Sequence, residues 1–326
     1  MRIFVTGGTG FIGTHLIRRL SAEGHRITCL VRRSSNTAVL AKLGVEFVIG
    51  DVTDYASLEA AIKDHECVIN LANVYSFWEP YPNVYDTVNI GGTRNVMESA
   101  LKAGVPKVVH ISTGGIYGKP KETPFTEESE IGPERFSRYF QTKYEGDEVA
   151  WGMYKNERLP LVMIYPMAVL GPGDPKTTGQ YILRILQRRL PARVLEDSVF
   201  TFVHVKDVAE IIYRAVIKTN NIGEKYLAGK FQHTFGEINR MVSEISGVRL
   251  PILYLPDFSV LVNAWLLTKI ADVIKRPPVW GMAVEQIRVM KEGVRADGSK
   301  AERELGIEYT PIRDAVEEAI ASYHTY

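Results

Sequence analysis

The sequence predicts an α/β fold, a doubly wound parallel sheet joined to a smaller mixed α/β unit. Two observations lead to this prediction. Short apolar, β-branched runs alternate with stretches that carry apolar residues at helical spacing, which is typical of βαβ units. Beyond Pro166 this alternation stops at the turn-rich residues 171–175. The strand-like runs are residues 1–5, 27–31, 45–49, 67–71, 108–112 and 161–165.

The chain of 326 residues, with 45% hydrophobic and 24% charged residues, suits one large or two modest globular domains. Lys and Arg number 39 against 38 Asp and Glu, so the net charge of +1 gives no basic field for nucleic acid. The two cysteines, Cys29 and Cys67, fall within strand-like runs, and we expect buried thiols of the kind that persist in a reducing compartment.

No signal peptide precedes the first strand, and we therefore expect a cytoplasmic protein. The most apolar later segment, residues 258–274, is interrupted by Asn263, Lys269 and Asp272 and is too short and too polar to span a membrane. We expect it to form an amphipathic helix. We expect it to pack within the fold or to wall the substrate domain, with attachment to a membrane surface as the alternative.

Glycines at positions 7, 10 and 13 lie between the first strand and a helix that begins near Phe11. In this context Gly7 allows a tight turn, Gly10 lets the main chain approach a pyrophosphate, and Gly13 lets helix and strand pack closely. The amide groups at the helix N-terminus then face the anion. Although glycines also serve as simple turns, this spacing and these flanks predict a dinucleotide site.

Tyr139 and Lys143 are four residues apart and share one face of a predicted helix. Such a pair is often an ordinary surface contact. However, residues 112–118 follow the strand at 108–112, at a carboxyl edge where a parallel sheet places its ligands. Together the two segments predict a proton-transfer site.

These motifs give the chain a clear resemblance to a family. It resembles the extended short-chain dehydrogenases/reductases, the NAD(P)-dependent epimerase/dehydratase superfamily, and within it the dihydroflavonol-reductase-like branch that includes hopanoid-associated sugar epimerases. The branch is indicated by residues 75–80 and 300–306. The motifs that carry the wider resemblance are TGGTGFIG at 6–13, GDVTD at 50–54, NLA at 70–72, VNIGGT at 88–93, STGGIYG at 112–118, the Tyr139/Lys143 pair and FVHVKDVA at 202–209.

The resemblance implies a division of the chain. Residues 1–166 would form a dinucleotide-binding Rossmann domain, with a return to it at about 200–217. Residues 167–199 and 218–326 would form the substrate-binding domain. It also implies a homodimer, built through a four-helix bundle that includes the Tyr139/Lys143 helix.

The resemblance also implies catalytic roles. Tyr139 would act as the acid or base at the reacting oxygen, and Lys143 would bind the nicotinamide ribose and lower the pKa of the tyrosine. Thr113 would hold the substrate oxygen through its hydroxyl. Asn89 matches an asparagine of the family, with either a catalytic role or one in capping and packing.

For the cofactor, the resemblance implies that Asp51 accepts from the adenine amino group, with Val52 against the ring, although Asp51 could simply begin a turn. Ala72 would line the dinucleotide groove and Pro166 would lie at the nicotinamide end. The residues predicted to bind the cofactor are Gly7, Thr9, Gly10, Phe11, Ile12, Gly13, Arg32, Arg33, Asp51, Val52, Leu71, Ala72, Tyr139, Lys143 and Pro166.

The end of the second strand favours NADP(H), with NAD(H) as the alternative. NAD-binding enzymes usually place an acid there for the ribose 2′-OH, whereas a 2′-phosphate needs cations. Residues 30–35 contain no acid, and Arg32 and Arg33 are placed to contact the phosphate. The alternative is that both arginines only face solvent.

The substrate side departs from the family pattern. Tyr165 and Ala168 stand where sugar-nucleotide enzymes often carry Arg and Asn. Glycines at 114 and 115 replace the Asp-Glu pair of the dehydratases, which argues against 4,6-dehydration. Aromatic residues after the fourth strand are well placed to wall an apolar pocket, and the residues predicted near the substrate are Phe77, Trp78 and Gly114.

We therefore expect hydride transfer between nicotinamide and the carbonyl or secondary alcohol of a small, hydrophobic or cyclic substrate. A nucleotide-sugar epimerase or reductase that uses the same site is the alternative, and a non-catalytic NADP-binding scaffold or sensor is a third. The histidines are not clustered at ligand spacing, so no metal site is predicted, and His204 is expected to be a structural hydrogen-bonding residue.

Overall fold

The computed structural model describes residues 1–323 and has two β-sheets surrounded by helices. The strands of the large sheet follow the apolar runs of the sequence, and most of these runs are buried on both faces, whereas Glu46–Ile49 at the sheet edge is partly exposed. The strands are β1 Arg2–Thr6, β2 Arg26–Val31, β3 Glu46–Ile49, β4 Cys67–Asn70, β5 Val108–Ile111, β6 Leu161–Pro166, β7 Ala168–Leu170, β8 Val199–His204, β9 Lys225–Ala228 and β10 Phe231–Thr234.

Helices connect the strands and cover both faces of the large sheet. They are α1 Phe11–Ala22, α2 Ala38–Ala41, α3 Tyr55–Ile62, α4 Asn83–Tyr85, α5 Thr93–Lys102, α6 Arg138–Glu157, α7 Thr177–Leu186, α8 Val205–Ile217, α9 Phe235–Ser246, α10 Asp257–Ile274, α11 Val284–Glu292, α12 Ser299–Leu305 and α13 Ile312–Tyr323. A π-helical segment, Asp86–Gly92, joins α4 to α5. A short 3₁₀ turn, Gly114–Tyr117, follows β5.

The large sheet has seven strands in the order β3-β2-β1-β4-β5-β6-β9, and every pairing is parallel. The strand order reverses between β1 and β4, so the carboxyl ends of these strands open a crevice. One apolar core lies on each face of the sheet, around α1 and α8 on one side and α3, α5 and α6 on the other. This doubly wound arrangement confirms the predicted fold class.

The smaller sheet has three strands in the order β10-β8-β7, with β8 antiparallel to β10 and parallel to β7. A separate apolar cluster joins it to α7, α9 and α13. The smaller mixed unit is thus also as predicted.

The large sheet also includes residues that follow the range 200–217, in which the chain was predicted to return to the first domain. In that range α8 packs on α1, whereas β8 pairs within the small sheet. The strand that completes the large sheet is β9, within the range 218–326 assigned to the other unit. Its residues, Lys225–Ala228, contain no β-branched apolar residue, so they lack the pattern by which the other strands of this sheet were predicted from sequence.

Three further expectations are met. Cys29 and Cys67 are fully buried, and burial raises the pKa of each thiol to about 12. The apolar segment 258–274 forms the expected helix, α10, although its apolar residues lie on both the buried and the exposed side instead of one side only. His204 caps α8, because its Nδ1 accepts from the Lys206 backbone N–H at 2.9 Å. Within residues 1–323, no helix combines the length and the apolar character that crossing a bilayer requires.

The close contact between α6 and the π-helical segment depends on a glycine, Gly146, which has no side chain. A Cβ at Gly146 would lie 2.5 Å from the Asn89 carbonyl oxygen, well inside van der Waals contact. Gly146 therefore sets the distance between these two elements, and Asn89 is carried on one of them.

We expect Gly146→Ala to lower the free energy of unfolding by about 1–3 kcal/mol, because the added methyl group overpacks this contact. Gly152→Ala on the same helix is the matched control, since no heavy atom lies within 4 Å of its would-be Cβ. It should raise stability by about 0.5–1 kcal/mol through helix propensity. Urea unfolding followed by circular dichroism measures both, and equal effects of the two substitutions would contradict the packing argument.

Candidate active site

A cavity of about 730 Å³ lies along the carboxyl edge of the large sheet. Its position follows from the topology, since the crevice opens where the strand order reverses. It extends from the glycine turn after β1 to the small sheet and α11. The predicted site residues that line it are Gly7, Thr9, Gly10, Phe11, Ile12, Gly13, Arg32, Asp51, Val52, Leu71, Ala72, Phe77, Thr113, Tyr139 and Pro166.

The glycine turn has the shape that a pyrophosphate requires. Gly7 has a φ of +69°, and a Cβ there would lie 2.7 Å from the Ala72 backbone nitrogen. A Cβ at Gly13 would overlap the Gly7 carbonyl oxygen. Gly10 caps α1 without a side-chain hydrogen bond, so the first-turn amide groups face the cavity without a capping side chain. The residues present therefore fit a dinucleotide phosphate.

The two arginines predicted to bind the 2′-phosphate are both exposed, but only Arg32 lines the cavity. Its backbone N–H donates to the Ser35 hydroxyl at 3.1 Å, which brings Ser35 into the lining as well. Arg33 lies outside the lining formed by residues 1–323. Arg32 and the Ser35 hydroxyl thus form a polar rim at the end of β2.

Asp51 also lines the cavity, and its carboxylate is engaged in the turn that follows β3. Its Oδ1 accepts from the Thr53 backbone N–H and from the Thr53 hydroxyl, each at 2.9 Å. The turn-starting role that the sequence left open is therefore present. Val52 beside it is buried, and its carbonyl accepts from the Asn95 side chain at 2.9 Å.

Tyr139 and Lys143 lie one turn apart on α6, which begins after the capping Ser137. Tyr139 is 5% exposed and reaches the cavity, whereas Lys143 is 1% exposed and lies behind the lining. The Lys143 Nζ donates to the Ile111 carbonyl at 2.9 Å, at the end of β5. The helix thus anchors its lysine beneath the sheet edge and presents its tyrosine to the cavity.

Burial dominates the protonation of both groups. It raises the pKa of the Tyr139 phenol well above its usual range, with the neighbouring Tyr75 adding to the effect. It lowers the pKa of the Lys143 ammonium to about 8. The structure differs from the expectation that Lys143 lowers the pKa of the tyrosine, because desolvation favours the neutral phenol and the lysine binds a backbone carbonyl instead.

Of the two residues predicted to be in the site in the segment after β5, one lines the cavity formed by the described residues and the other does not. Thr113 lines the cavity, and its hydroxyl oxygen accepts from the Gly115 N–H at 3.3 Å. Gly114 packs against the Met167 side chain, which a Cβ would overlap, and lies outside the lining within the described chain. Gly115 is in the lining instead, although only Gly114 was predicted to lie near the substrate.

Asn89 lies in the π-helical segment and is buried away from the cavity lining of the described chain. Its Oδ1 accepts from the Val74 N–H at 2.8 Å, and its Nδ2 donates to the Thr142 hydroxyl at 3.0 Å. It therefore ties the loop after β4 to α6, which corresponds to the capping and packing role that the sequence left open.

The aromatic loop after β4 surrounds Tyr139. The rings of Tyr75 and Phe77 lie 5.2 and 6.1 Å from the Tyr139 ring, centroid to centroid. Phe77 and Tyr75 both line the cavity. Trp78 points elsewhere, since its Nε1 donates to the Asp272 carboxylate of α10 at 2.9 Å. The loop thus forms an apolar wall next to Tyr139, and its Trp78 connects it to α10 of the second unit.

The far end of the cavity is mainly apolar. Phe200 and Phe202 are two apart on β8 and therefore share a face, and Phe235 packs against both. Period-two spacing of these aromatics was the available signal, but sequence alone does not say that their face meets a cavity. Lining residues that the sequence reasoning missed include Ser35, Tyr75, Gly115, Met167, Asp174, Thr177, Phe200, Phe202, Phe235, Gln286 and Met290.

The polar lining residues at this end are Asp174, Lys176, Thr177, Thr178 and Gln286, and the first is already engaged in hydrogen bonds. The Asp174 carboxylate accepts from the Lys176 and Gly179 backbone N–H groups at 2.8 and 2.7 Å. Burial raises the pKa of this carboxyl group. Within residues 1–323, no group of three or more His, Cys, Asp or Glu side chains is arranged to hold a metal ion.

A buried polar chain connects the cofactor side of the cavity to α6. The Thr6 hydroxyl donates to Asn70 Oδ1 at 2.6 Å, and Asn70 Nδ2 donates to His110 Nδ1 at 3.0 Å. His110 Nε2 then faces Asp147 Oδ1 at 3.4 Å, while the Ser112 hydroxyl donates to Asp147 Oδ2 at 2.6 Å. Each of the five side chains is at most 6% exposed.

The hydrogen-bond donors of this polar chain determine which ring nitrogen of His110 carries the proton. Because Nδ1 of His110 accepts from an amide, the neutral ring carries its proton on Nε2, toward the Asp147 carboxylate. Burial and the nearby Lys143 lower the pKa of His110, which favours that neutral form. Asp147 is one turn after Lys143 on α6, so this polar chain fixes the helix that carries Tyr139.

Similar proteins are found by sequence and by structure. The family model described as "NAD dependent epimerase/dehydratase family" matches residues 3–229. A "Putative dihydroflavonol 4-reductase" of Synechocystis sp. is 29% identical over 97% of this chain and 93% of its own length. "Sterol demethylase protein B" of Methylococcus capsulatus is 31% identical over 98% of each chain.

Among solved structures, the crystal structure of gox2253 superposes with a TM-score of 0.85 and 32% sequence identity. The match covers 99% of this chain and 98% of that one. It extends through both sheets, so the similarity includes the second unit. Together with the glycine turn, the Tyr139/Lys143 helix and the family match over residues 3–229, this shows that the chain belongs to the NAD-dependent epimerase/dehydratase family of enzymes, the extended short-chain dehydrogenases/reductases.

Proposed function

We propose that this enzyme is an NADPH-dependent reductase that acts on the carbonyl group of a small apolar or cyclic substrate. The observation that carries the proposal is the composition of one continuous cavity. It has a phosphate-binding turn and an arginine at one end, Tyr139 in the middle, and aromatic walls at the other end. A mainly apolar pocket with few polar groups favours a hydrophobic ligand.

The proposed cofactor residues divide by the part of the dinucleotide they would hold. Residues 7–13 would bind the pyrophosphate, and Asp51 with Val52 would hold the adenine. Arg32 and Arg33 would bind the 2′-phosphate, since exposed guanidinium groups pair well with phosphate. Leu71, Ala72 and Pro166 would line the groove toward the nicotinamide. When bound, the nicotinamide supplies the hydride.

Tyr139 is suited to the acid role in reduction. Its raised pKa keeps the phenol protonated, so it can donate a proton to a carbonyl oxygen that becomes an alcohol. The Thr113 hydroxyl lines the same cavity and would hold that oxygen. Lys143, one helical turn away and held by Ile111, would bind the ribose and supply a positive charge near the reacting groups.

Two alternatives share this site. A nucleotide-sugar epimerase or reductase would use the same Thr113, Tyr139 and Lys143, and Gln286 and Thr177 offer polar contacts at the far end. The aromatic pair Phe200 and Phe202 favours the apolar substrate over a sugar. A non-catalytic NADP sensor is the third alternative, and the buried Tyr139/Lys143 arrangement argues against it, because a sensor needs no proton donor in its cavity.

We expect Tyr139→Phe to lower kcat/KM for carbonyl reduction at least about a hundredfold, since it removes the proton donor and little volume. NADPH oxidation with a panel of ketones, aldehydes and 4-keto nucleotide sugars measures this. Phe77→Leu is the control for cavity shape and should mainly change KM. Turnover of only the sugars without net NADPH loss would support the epimerase, and NADPH binding without any turnover would support the sensor.

We expect the double substitution Arg32→Ala, Arg33→Ala to weaken NADPH binding about tenfold to a hundredfold and to leave NADH binding nearly unchanged. The reason is that only the phosphorylated ribose needs the cations. Fluorescence titration of the two cofactors measures both affinities. The single variants separate Arg32, which lines the cavity, from Arg33. NADPH binding equal to or weaker than NADH binding in the unaltered protein would contradict this prediction.

We expect kcat/KM to fall about tenfold per pH unit above pH 8. The Lys143 pKa is about 8, so above this pH the ammonium group is deprotonated and its positive charge is lost. Deprotonation of Lys143 does not destabilise the fold, so unfolding does not cause this decline in kcat/KM. Its pKa in the fold is below the ordinary 10.5, so the unfolded chain binds more protons between these values and stability rises with pH. A profile that stays flat to pH 10, or one with the same decline in Lys143→Met, would contradict the assignment.

A further inference from the structure

The outer side of α10 forms an exposed apolar surface, which we call the apolar face. Its helix residues recur at helical spacing on one side and are all exposed. Val273 is 81% exposed and Phe258 is 78% exposed, values that are unusual for large apolar side chains on a helix of a monomeric protein. The helix residues of the apolar face are Phe258, Val262, Trp265, Leu266, Ile270 and Val273.

The segments at both ends of α10 extend this surface. Ile252, just before the helix, is 96% exposed, and Leu253 beside it is 57% exposed. After the helix, Val279 and Trp280 are each more than half exposed. The surface is therefore longer than the helix, and it has a tryptophan within it and another at its end.

The fold uses only the opposite side of α10. Val260, Ala264 and Ala271 are buried there, and the first two pack with Ile287 of α11. This narrow inner strip is enough to hold the helix in place. The outer side consequently has no role in the packing of the described chain.

Cations surround the apolar face. Lys269 lies within it, Lys275 and Arg276 follow the helix, and Arg188 and Arg249 line a small cleft next to Pro251 at its other end. All five are exposed, and none forms an ion pair with any residue in 1–323.

The acids near the apolar face do not neutralise these cations. Asp272 accepts from the Trp78 indole at 2.9 Å and is thereby held toward the aromatic loop. Asp257 begins the helix and lies in its first turn, where a negative charge matches the helix dipole. Both carboxylates keep their charge, but two acids stand against five exposed cations, so these residues together carry a net positive charge.

We propose that the apolar face binds the surface of an anionic lipid bilayer, with α10 parallel to the membrane plane. A helix of this kind buries its apolar side at the boundary of headgroups and acyl chains, while basic side chains contact anionic headgroups and tryptophans lie at the interface. All three features are present.

A second copy of the chain fits this surface less well than a bilayer does. In a two-fold dimer the same patch faces itself, so a surface with five exposed cations would meet the same five cations of the second copy. Like charges brought together in this way oppose association. An anionic bilayer, in contrast, supplies the opposite charge and an apolar layer together.

The apolar face is one layer away from the cavity. Met290 of α11 packs in the cluster under α10 and also lines the cavity. Trp78 joins α10 to the loop that holds Phe77 at Tyr139. If the proposed function holds, an apolar substrate dissolved in the bilayer has a short path to the site, and this consequence alone rests on that function.

Flotation with lipid vesicles tests the proposal without any need for turnover, so its failure is distinguishable from failure of the proposed reductase activity. We expect the protein to float with vesicles of phosphatidylcholine containing about 30% phosphatidylglycerol and much less with phosphatidylcholine alone. Leu266→Ser with Val273→Ser should weaken the partition coefficient about tenfold or more. Lys275→Gln with Arg276→Gln should weaken it by a similar factor at low salt and less at high salt.

Val39→Ser with Ile222→Ser is the matched control, because these exposed apolar residues lie outside the apolar face. It should float like the unaltered protein, and thermal unfolding confirms that each variant is folded. Equal flotation of the control and both test variants would overturn the proposal, as would no flotation of the unaltered protein. A dimer in light scattering that Leu266→Ser with Val273→Ser converts to monomer, without vesicle binding, would assign the surface to a second copy instead.

Discussion

The buried polar chain from Thr6 through Asn70 and His110 to Asp147 is the interaction on which the rest of the site depends. It crosses the carboxyl ends of β1, β4 and β5 and ends on α6. Each polar group in it is removed from water, and leaving one without a partner costs about 1–3 kcal/mol. The glycine turn next to Thr6 and the helix that carries Tyr139 are therefore held in one mutual position. The last step of the chain differs in kind, because His110 Nε2 and Asp147 Oδ1 lie 3.4 Å apart without a hydrogen bond and interact only electrostatically.

The same constraint explains the opposite behaviour of two neighbouring groups. Tyr139 and Lys143 are one turn apart on a helix that Asp147 anchors, so both are carried into a region with little water. Desolvation makes the phenol harder to ionise and the ammonium easier to deprotonate. A protonated phenol and an ammonium group with a pKa of about 8 thus follow from burial. Burial, and not an exposed ion pair, therefore determines the protonation states of Tyr139 and Lys143.

Much of the fold could be predicted because its signals are local. The runs 27–31, 67–71 and 161–165 are long enough to mark buried strands, and the glycines at 7–13 mark the turn by spacing alone. The strand β9 could not be found in this way, since its four residues gain their identity from pairing with β6. Residues of the cavity lining could be predicted where a motif carries them, as for Thr113 and Tyr139. They were missed where tertiary contacts decide, as for Phe200 and Phe202, or for Gly115 in place of its neighbour 114.

The π-helical segment Asp86–Gly92 has a consequence for how this chain tolerates change in length. A π-helical turn accommodates a residue more than an α-helical turn, so the segment is stable only while that residue stays. Loss of any one residue between 86 and 92 would restore ordinary helical winding and rotate everything before it by about 100° relative to α5. Asn89 would then turn away from Val74 and Thr142, and the loop that holds Phe77 would lose its attachment to α6. Side-chain substitutions in this stretch act one contact at a time, whereas a single deletion would disconnect the aromatic wall from the helix as a whole.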